Sequence, residues 1–169
     1  MTATFEWKIC TGVDAATENA GSATNFNMMS VDAYDSTGTD YQTNRIEIFE
    51  SGTNYSVEKW IRGLFSDDFN LIENCKIWHS AGTLSDASLD LKAGVTDSGI
   101  TPTDGTSVIA TNSLVDWDTE AEALDVQNGI MNTTPIYSLY GVVQLEIPDT
   151  VTETGDIGVQ TITFQYDES

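Results

Sequence analysis

The side chains able to do chemistry are few and scattered. His79 is the single histidine. No second histidine and no Cys-His cluster at zinc spacing accompanies it, so it is a poor transition-metal anchor. No Gly-x-Ser-x-Gly elbow is present to give it a serine nucleophile. A strand-end histidine with an ordinary hydrogen bond accounts for it. Carboxylate pairs are plentiful: Asp67-Asp68, Asp116 with Asp118, Glu120 with Glu122. Glycoside hydrolysis needs two carboxylates across a cleft, one of them kept protonated. A chain with 27 acidic residues offers such pairs by accident. No catalytic residue is assigned, and the chain reads as a non-enzyme.

Calcium is the one cofactor the acids could hold, because its hard oxygen ligands abound in loops. Asp35, Asp40, Asp97, Asp104, Asp116 and Asp118 all lie in such stretches. No EF-hand pattern is present. The tightest group is Asp116, Asp118 and Glu120, the candidate calcium site. The competing reading is a solvated acidic loop capping a short helix, with Asp118 or Thr119 as N-cap. Cys10 and Cys75 permit one disulfide, but their count does not specify it. Both fall in expected strands, where a free cysteine serves as a small buried hydrophobe.

Trp7, Trp60, Trp78 and Trp117 could build a stacking platform for carbohydrate. Trp7 alternates with Phe5 and Ile9, which places it in the core. Of Ile77 and Trp78, one faces out. Trp117 lies between acids and is the candidate for exposure. Asn54-Tyr55-Ser56 and Asn132-Thr133-Thr134 match the N-glycosylation sequon, a short pattern with a high chance rate.

Charge excludes partners. Six basic residues against 27 acidic ones leave a net charge of −21. Nucleic-acid binding needs clustered cations to neutralise phosphates, and none exists here. Anionic membranes repel the chain as well. The acids suit solubility and a surface facing bulk solvent. The N-terminus has neither a basic region nor an apolar core of signal-peptide type. No run has transmembrane length. The expectation is a product made soluble in a cytoplasm.

The elements that would position these residues are short strands. The ending, 155–169, alternates Ile162, Phe164 and Tyr166 against Thr161, Thr163 and Gln165. A strand so near the terminus must be held in a sheet. Further strands are expected at 5–10, 26–31, 44–49, 55–62, 69–79, 87–94 (a strand then a turn at Gly94) and 140–147, with a weak one at 107–111. Over 55–62 a strand is favoured above a short helix. A short helix is expected over 118–125. Turn chemistry marks 35–40, 50–54, 128–129 and 148–155. Residues 11–25 and 95–113 read as long polar loops. The sum is one domain, 1–169, an all-β antiparallel sandwich (jelly-roll or immunoglobulin-like) of about 8–9 strands. Phe5, Trp7, Ile46, Ile48, Ile77, Leu89, Leu91, Val143, Leu145, Ile147, Ile162 and Phe164 are the expected core.

Two stretches carry a resemblance. Asn74-Cys75-Lys76-Ile77-Trp78-His79-Ser80-Ala81-Gly82 is followed by Ser88-Leu89-Asp90-Leu91-Lys92-Ala93-Gly94-Val95-Thr96, then Thr101-Pro102 and a Ser/Ala/Thr-rich run. The closing strand from Gly158 to Tyr166 belongs with them. Together, over about 69–112 and 139–168, these resemble small β-sandwich virion proteins of tailed bacterial or archaeal viruses. The motifs are generic. The resemblance implies a non-enzymatic virion component made in a host cytoplasm, above all a capsid decoration or cement protein. Its implied partners are other copies of itself, as a trimer or higher ring, and the major capsid protein. A tail or baseplate protein is the nearest variant. A carbohydrate-binding sandwich with Trp117 as platform is the rival, and a halophilic or marine surface protein is a third reading.

Overall fold

The computed structural model describes residues 2–19, 26–34, 39–152, 155 and 157–169. The described strands are β1 (Thr4–Thr11), β2 (Thr17–Glu18), β3 (Thr53–Tyr55), β4 (Lys59–Ser66), β5 (Ile72–Ala81), β6 (Asp90–Thr96), β7 (Leu124–Asp125), β8 (Ile136–Tyr137), β9 (Tyr140–Pro148) and β10 (Thr161–Glu168). All pairings are antiparallel, in a seven-stranded and a three-stranded sheet. The expected β-sandwich is therefore the fold. No α-helix occurs among the described residues.

The larger sheet is simpler than its strand count. β3 and β4 form one interrupted strand, and β8 and β9 form another, antiparallel to it. β1 flanks β4, β6 flanks β9, and the short β2 pairs with the end of β1, at Cys10 and Thr11, on the edge away from β4. The smaller sheet runs β10-β5-β7. Its β10 lies over β1, because Phe164 meets Phe5 and Trp7 at ring-centroid distances of 4.8 and 5.3 Å. Close approach of the sheets explains two glycines. A Cβ at Gly63 would strike Phe5 and Phe164, and one at Gly141 would strike Ile77.

Alternation places Phe5, Trp7, Ile9, Ile61, Phe65, Val143 and Leu145 on the inner face, as a period of two dictates. Of the expected core, Ile77, Leu89, Leu91, Val143, Leu145 and Ile147 are buried. Phe5, Trp7, Ile46, Ile48, Ile162 and Phe164 are half-buried and packed against the core.

Several expected elements differ. Residues 26–31 and 44–49 form no strand. Their alternation is real, since Ile46 and Ile48 turn inward while Arg45, Glu47 and Phe49 face solvent. They lack a ladder, because single bonds satisfy this backbone instead: Val57 N–H donates to the Met29 carbonyl and Ser30 N–H to that of Asn44. The turn expected at Gly94 is strand, and β6 runs on to Thr96. Residues 107–111 are irregular, with one bridge just beyond them, Ala93 to Asn112. The expected helix over 118–125 is a single 3₁₀ turn, Glu120–Glu122. It ends at Ala123 in extended geometry, which sends Leu124 into pairing with Ile77. The turn expected at 35–40 falls mostly on 35–38, outside the described residues.

A third layer covers the larger sheet. Residues 97–111 lie across its outer face, so closely that a Cβ at Gly94 would overlap the Ile109 carbonyl. Gln144 fastens this strap. Its Nε2 donates to the carbonyls of Ser56 (2.9 Å) and Gly105 (2.8 Å), and its Oε1 accepts from Ser107 N–H at 3.2 Å. Covered on both faces, β9 is buried along almost its whole length.

Candidate functional site

The chain's chemically able residues do not converge. His79 is buried, its Nε2 lying 2.9 Å from Gln160 Oε1, with the Trp117 ring edge-on at 6.1 Å. Gln160 Nε2 donates on to the carbonyl of Thr83 at 3.2 Å. The pair clips the lead-in to β10 onto β5, a structural use for the strand-end histidine.

Trp117 is a correction. Expected on the surface, it is fully buried, and its Nε1 donates to the Leu91 carbonyl at 3.2 Å. The flanking acids gave a solvent signature, but the chain turns under the sheet edge there and inserts the ring between the sheets. A carbohydrate platform on Trp117 is excluded by that burial. Trp78 is half-buried and Ile77 is buried, which resolves that pair.

Asp116 Oδ2 accepts from the Ser113 N–H at 3.2 Å, in a capping box around the 3₁₀ turn Leu114–Asp116. Asp118 and Glu120 are exposed. No group of three or more His, Cys, Asp or Glu side chains arranged for a metal ion occurs among the described residues. Of the other loop acids, Asp35 lies outside the described residues. Cys10 and Cys75 are both free and buried. Burial raises their pKa values to about 11 and about 12, so both stay protonated at neutral pH.

Sequence reasoning missed a band of polar side chains on the outer face of the larger sheet. Arg62 pairs with Glu18 and lies 3.9 Å from the Tyr137 ring centroid and 4.7 Å from that of Tyr140. Tyr137 Oη donates to Glu18 at 3.0 Å. Burial, then the Glu18 hydrogen bond, raises the Tyr137 pKa. Beside this group, buried Glu58 accepts from Trp60 Nε1 at 3.0 Å and from Thr103 N–H at 3.3 Å. On the opposite, inner face Lys59, paired with Val143, is also buried, and its Nζ donates to the carbonyls of Val31 and Ala33. Alternation marks Glu58 and Gln144 as solvent-facing, and only the strap reverses that. The one available signal was Gln144 inside the apolar run 140–145.

Two surfaces remain free for contact. The first lies on the long loops, where Val13 (72% exposed) and Val108 (81%) accompany the less exposed Ile100. Val13 and Ile100 are neighbours, since Asp14 N–H reaches Thr101 Oγ1 at 3.4 Å and Gly99 packs on the Asp14 carbonyl. The second is the side of the sandwich where β10 and the first part of β1, before β2 pairs with its end, lie at the edges. There Phe5, Trp7, Phe164 and Tyr166 are half-buried, and Phe5 stacks on Tyr166 at 5.7 Å. A half-open cleft of about 280 Å³ lies elsewhere, lined by Ser30, Arg45, Glu47, Asn54, Tyr55 and Asp104. No helix among the described residues is long and apolar enough to cross a membrane. Comparison with protein-family models, with curated proteins and with solved structures finds no match to this chain.

Proposed function

We propose that this protein is a non-enzymatic structural component of a viral particle, a decoration or cement protein deployed in repeated copies on a capsid shell. The observation that carries the reading is a set of exposed apolar residues on the long loops, while Phe49, Val115, Ile130 and Val159 are exposed elsewhere on the surface. Val13, Ile100 and Val108 project from the two long polar segments, the parts that would reach a neighbour. An otherwise acidic surface keeps the rest of the molecule in solvent, as a net charge of −21 requires. The resemblance to virion sandwiches adds support, because its segments supply β5, β6, β9 and β10, the frame of both sheets.

The test begins with the neighbouring genes, where a major capsid protein is expected. Shells assembled from that protein should carry the chain down on sedimentation. Ile100→Asp with Val108→Asp should leave folding intact and lose most of the shell-bound fraction. Binding to purified tails in place of shells would move the protein to the tail. No binding to either would overturn the reading.

A further inference from the structure

The free edges of the sandwich are unevenly distributed. On the β6–β7 side, Asn112 bridges Ala93, and Trp117 receives the His79 N–H on its carbonyl. β5 is covered there too, by β7, by Val126 on Cys75 and by Met131 on Ile72. On the opposite side β10 pairs with β5 alone. Among the described residues, no other backbone group bonds to 161–167. An open row of N–H and C=O groups is a template for another strand.

Natural edges of this kind are guarded by charge, by proline or by brevity. The neighbouring edge β1 carries Glu6 and Lys8, joined in an ion pair at 2.7 Å. β10 has none of these three guards where it matters, although its ladder with β5 shifts register between Thr161 and Ile162 and between Gln165 and Asp167. Residues 160–166, Gln-Thr-Ile-Thr-Phe-Gln-Tyr, hold no charge and no proline, and the acids Asp167 and Glu168 come only after them. Val159, 85% exposed, extends the apolar edge at the other end.

That neutrality selects the occupant. A cationic strand from a foreign protein would find no acid here to hold it. A second copy of this chain carries −21 and can approach only where acid does not meet acid. We infer that two copies pair through β10, antiparallel, about a twofold axis at Thr163. In that register residues 160–166 of one copy face 166–160 of the other, and every opposed side chain is uncharged. Ile162 then lies opposite Phe164, and the half-buried Phe164 and Tyr166 gain cover. Because the twofold axis brings the same edge of each copy together, this contact closes as an isologous pair. The inference stands on the edge itself and not on the virion reading.

The test is sedimentation of the purified chain across concentration and NaCl, with near-ultraviolet circular dichroism as a folding control. A monomer–dimer equilibrium that tightens with salt is expected. Thr163→Lys sets two ammonium groups opposite each other and should weaken the dimer about tenfold or more. Thr163→Cys should cross-link to a disulfide dimer under mild oxidation, while Ser98→Cys, on an exposed loop, should not. A strict monomer at every concentration and salt overturns the inference. So does a dimer that Thr163→Lys leaves intact while the variant remains folded. A monomer that still sediments with capsid shells would sink the pairing and leave the virion role standing. A β10 dimer with no affinity for shells or tails would do the reverse.

Discussion

On the β6–β7 side, residues 97–117 cross the outer face, bridge the sheet edge at Asn112 and end with Trp117 between the sheets. On the β1–β10 side no described segment covers the gap, which is spanned by the hydrogen bond from Ala3 N–H to Glu168 Oε1 at 2.8 Å, and four aromatic rings are left half-buried at its mouth. Both sides are built from short alternating strands with an aromatic filling. They differ in whether the chain returns to cover its own edge. Where it returns, polar side chains such as Gln144 and Glu58 become interior fasteners. Where it does not, apolar rings and an unguarded ladder face outward. The closed side covers its own edge, and the open side is the half through which we infer that copies pair.

The largest effect should separate these halves directly. Trp117→Ala empties a fully buried site and should cost about 3–5 kcal/mol. Phe164→Ala on the open side should cost about half as much, since its ring is already part-solvated. Denaturant unfolding measures both. Equal costs would mean that the open side is as sealed as the closed one.

Gln144→Leu tests the fastening of the strap. It leaves Ser107 N–H and the carbonyls of Ser56 and Gly105 without their partner, which should cost about 2–4 kcal/mol. Limited proteolysis should then cut within 97–111 while β10 stays resistant. A variant as stable as the parent, with an uncut strap, would show that apolar cover alone holds this layer.

Alkali should act through the two thiols. Burial raises Cys10 from 9.0 to about 11 and Cys75 from 9.0 to about 12. The folded state therefore keeps protons that the unfolded chain releases above pH 9. Stability is complete below that point and falls as pH rises through the folded values. The slope is up to about 1.4 kcal/mol per pH unit for each thiol. Replacing both cysteines by alanine should flatten the decline between pH 9 and 11. An unchanged decline would assign it to the tyrosines, of which Tyr137, Tyr140 and Tyr166 are also shifted upward by burial.

Salt should give the smallest change. With a net charge of −21, screening raises the melting temperature, most steeply at low NaCl. The Debye length falls from about 10 Å at 0.1 M to about 3 Å at 1 M. Calcium at matched ionic strength should add nothing further, because Asp116 is engaged with Ser113. A calcium increment abolished by Asp116→Asn would restore the Asp116, Asp118 and Glu120 site.

Much of this molecule was legible in its residues. Period-two alternation identified β1, β9 and β10 and placed their inward side chains, because a strand's geometry alone decides which residues share a face, while β5 was identified with its facing at Ile77 and Trp78 left open. The same pattern misled at 26–31 and 44–49. Alternation records burial on one side, and a ladder also needs a partner strand at the right distance, which local sequence does not encode. Only the tertiary structure decided the fate of Trp117, Glu58, Lys59 and Gln144. Trp117 stands among acids, Glu58 and Gln144 on nominally solvent-facing positions and Lys59 as a charge on the inward face, and each is buried by segments distant in the chain. The open side was half visible. The uncharged run 160–166 can be read directly, but that it forms an edge depends on which strands failed to reach it, and long-range pairing alone determines that.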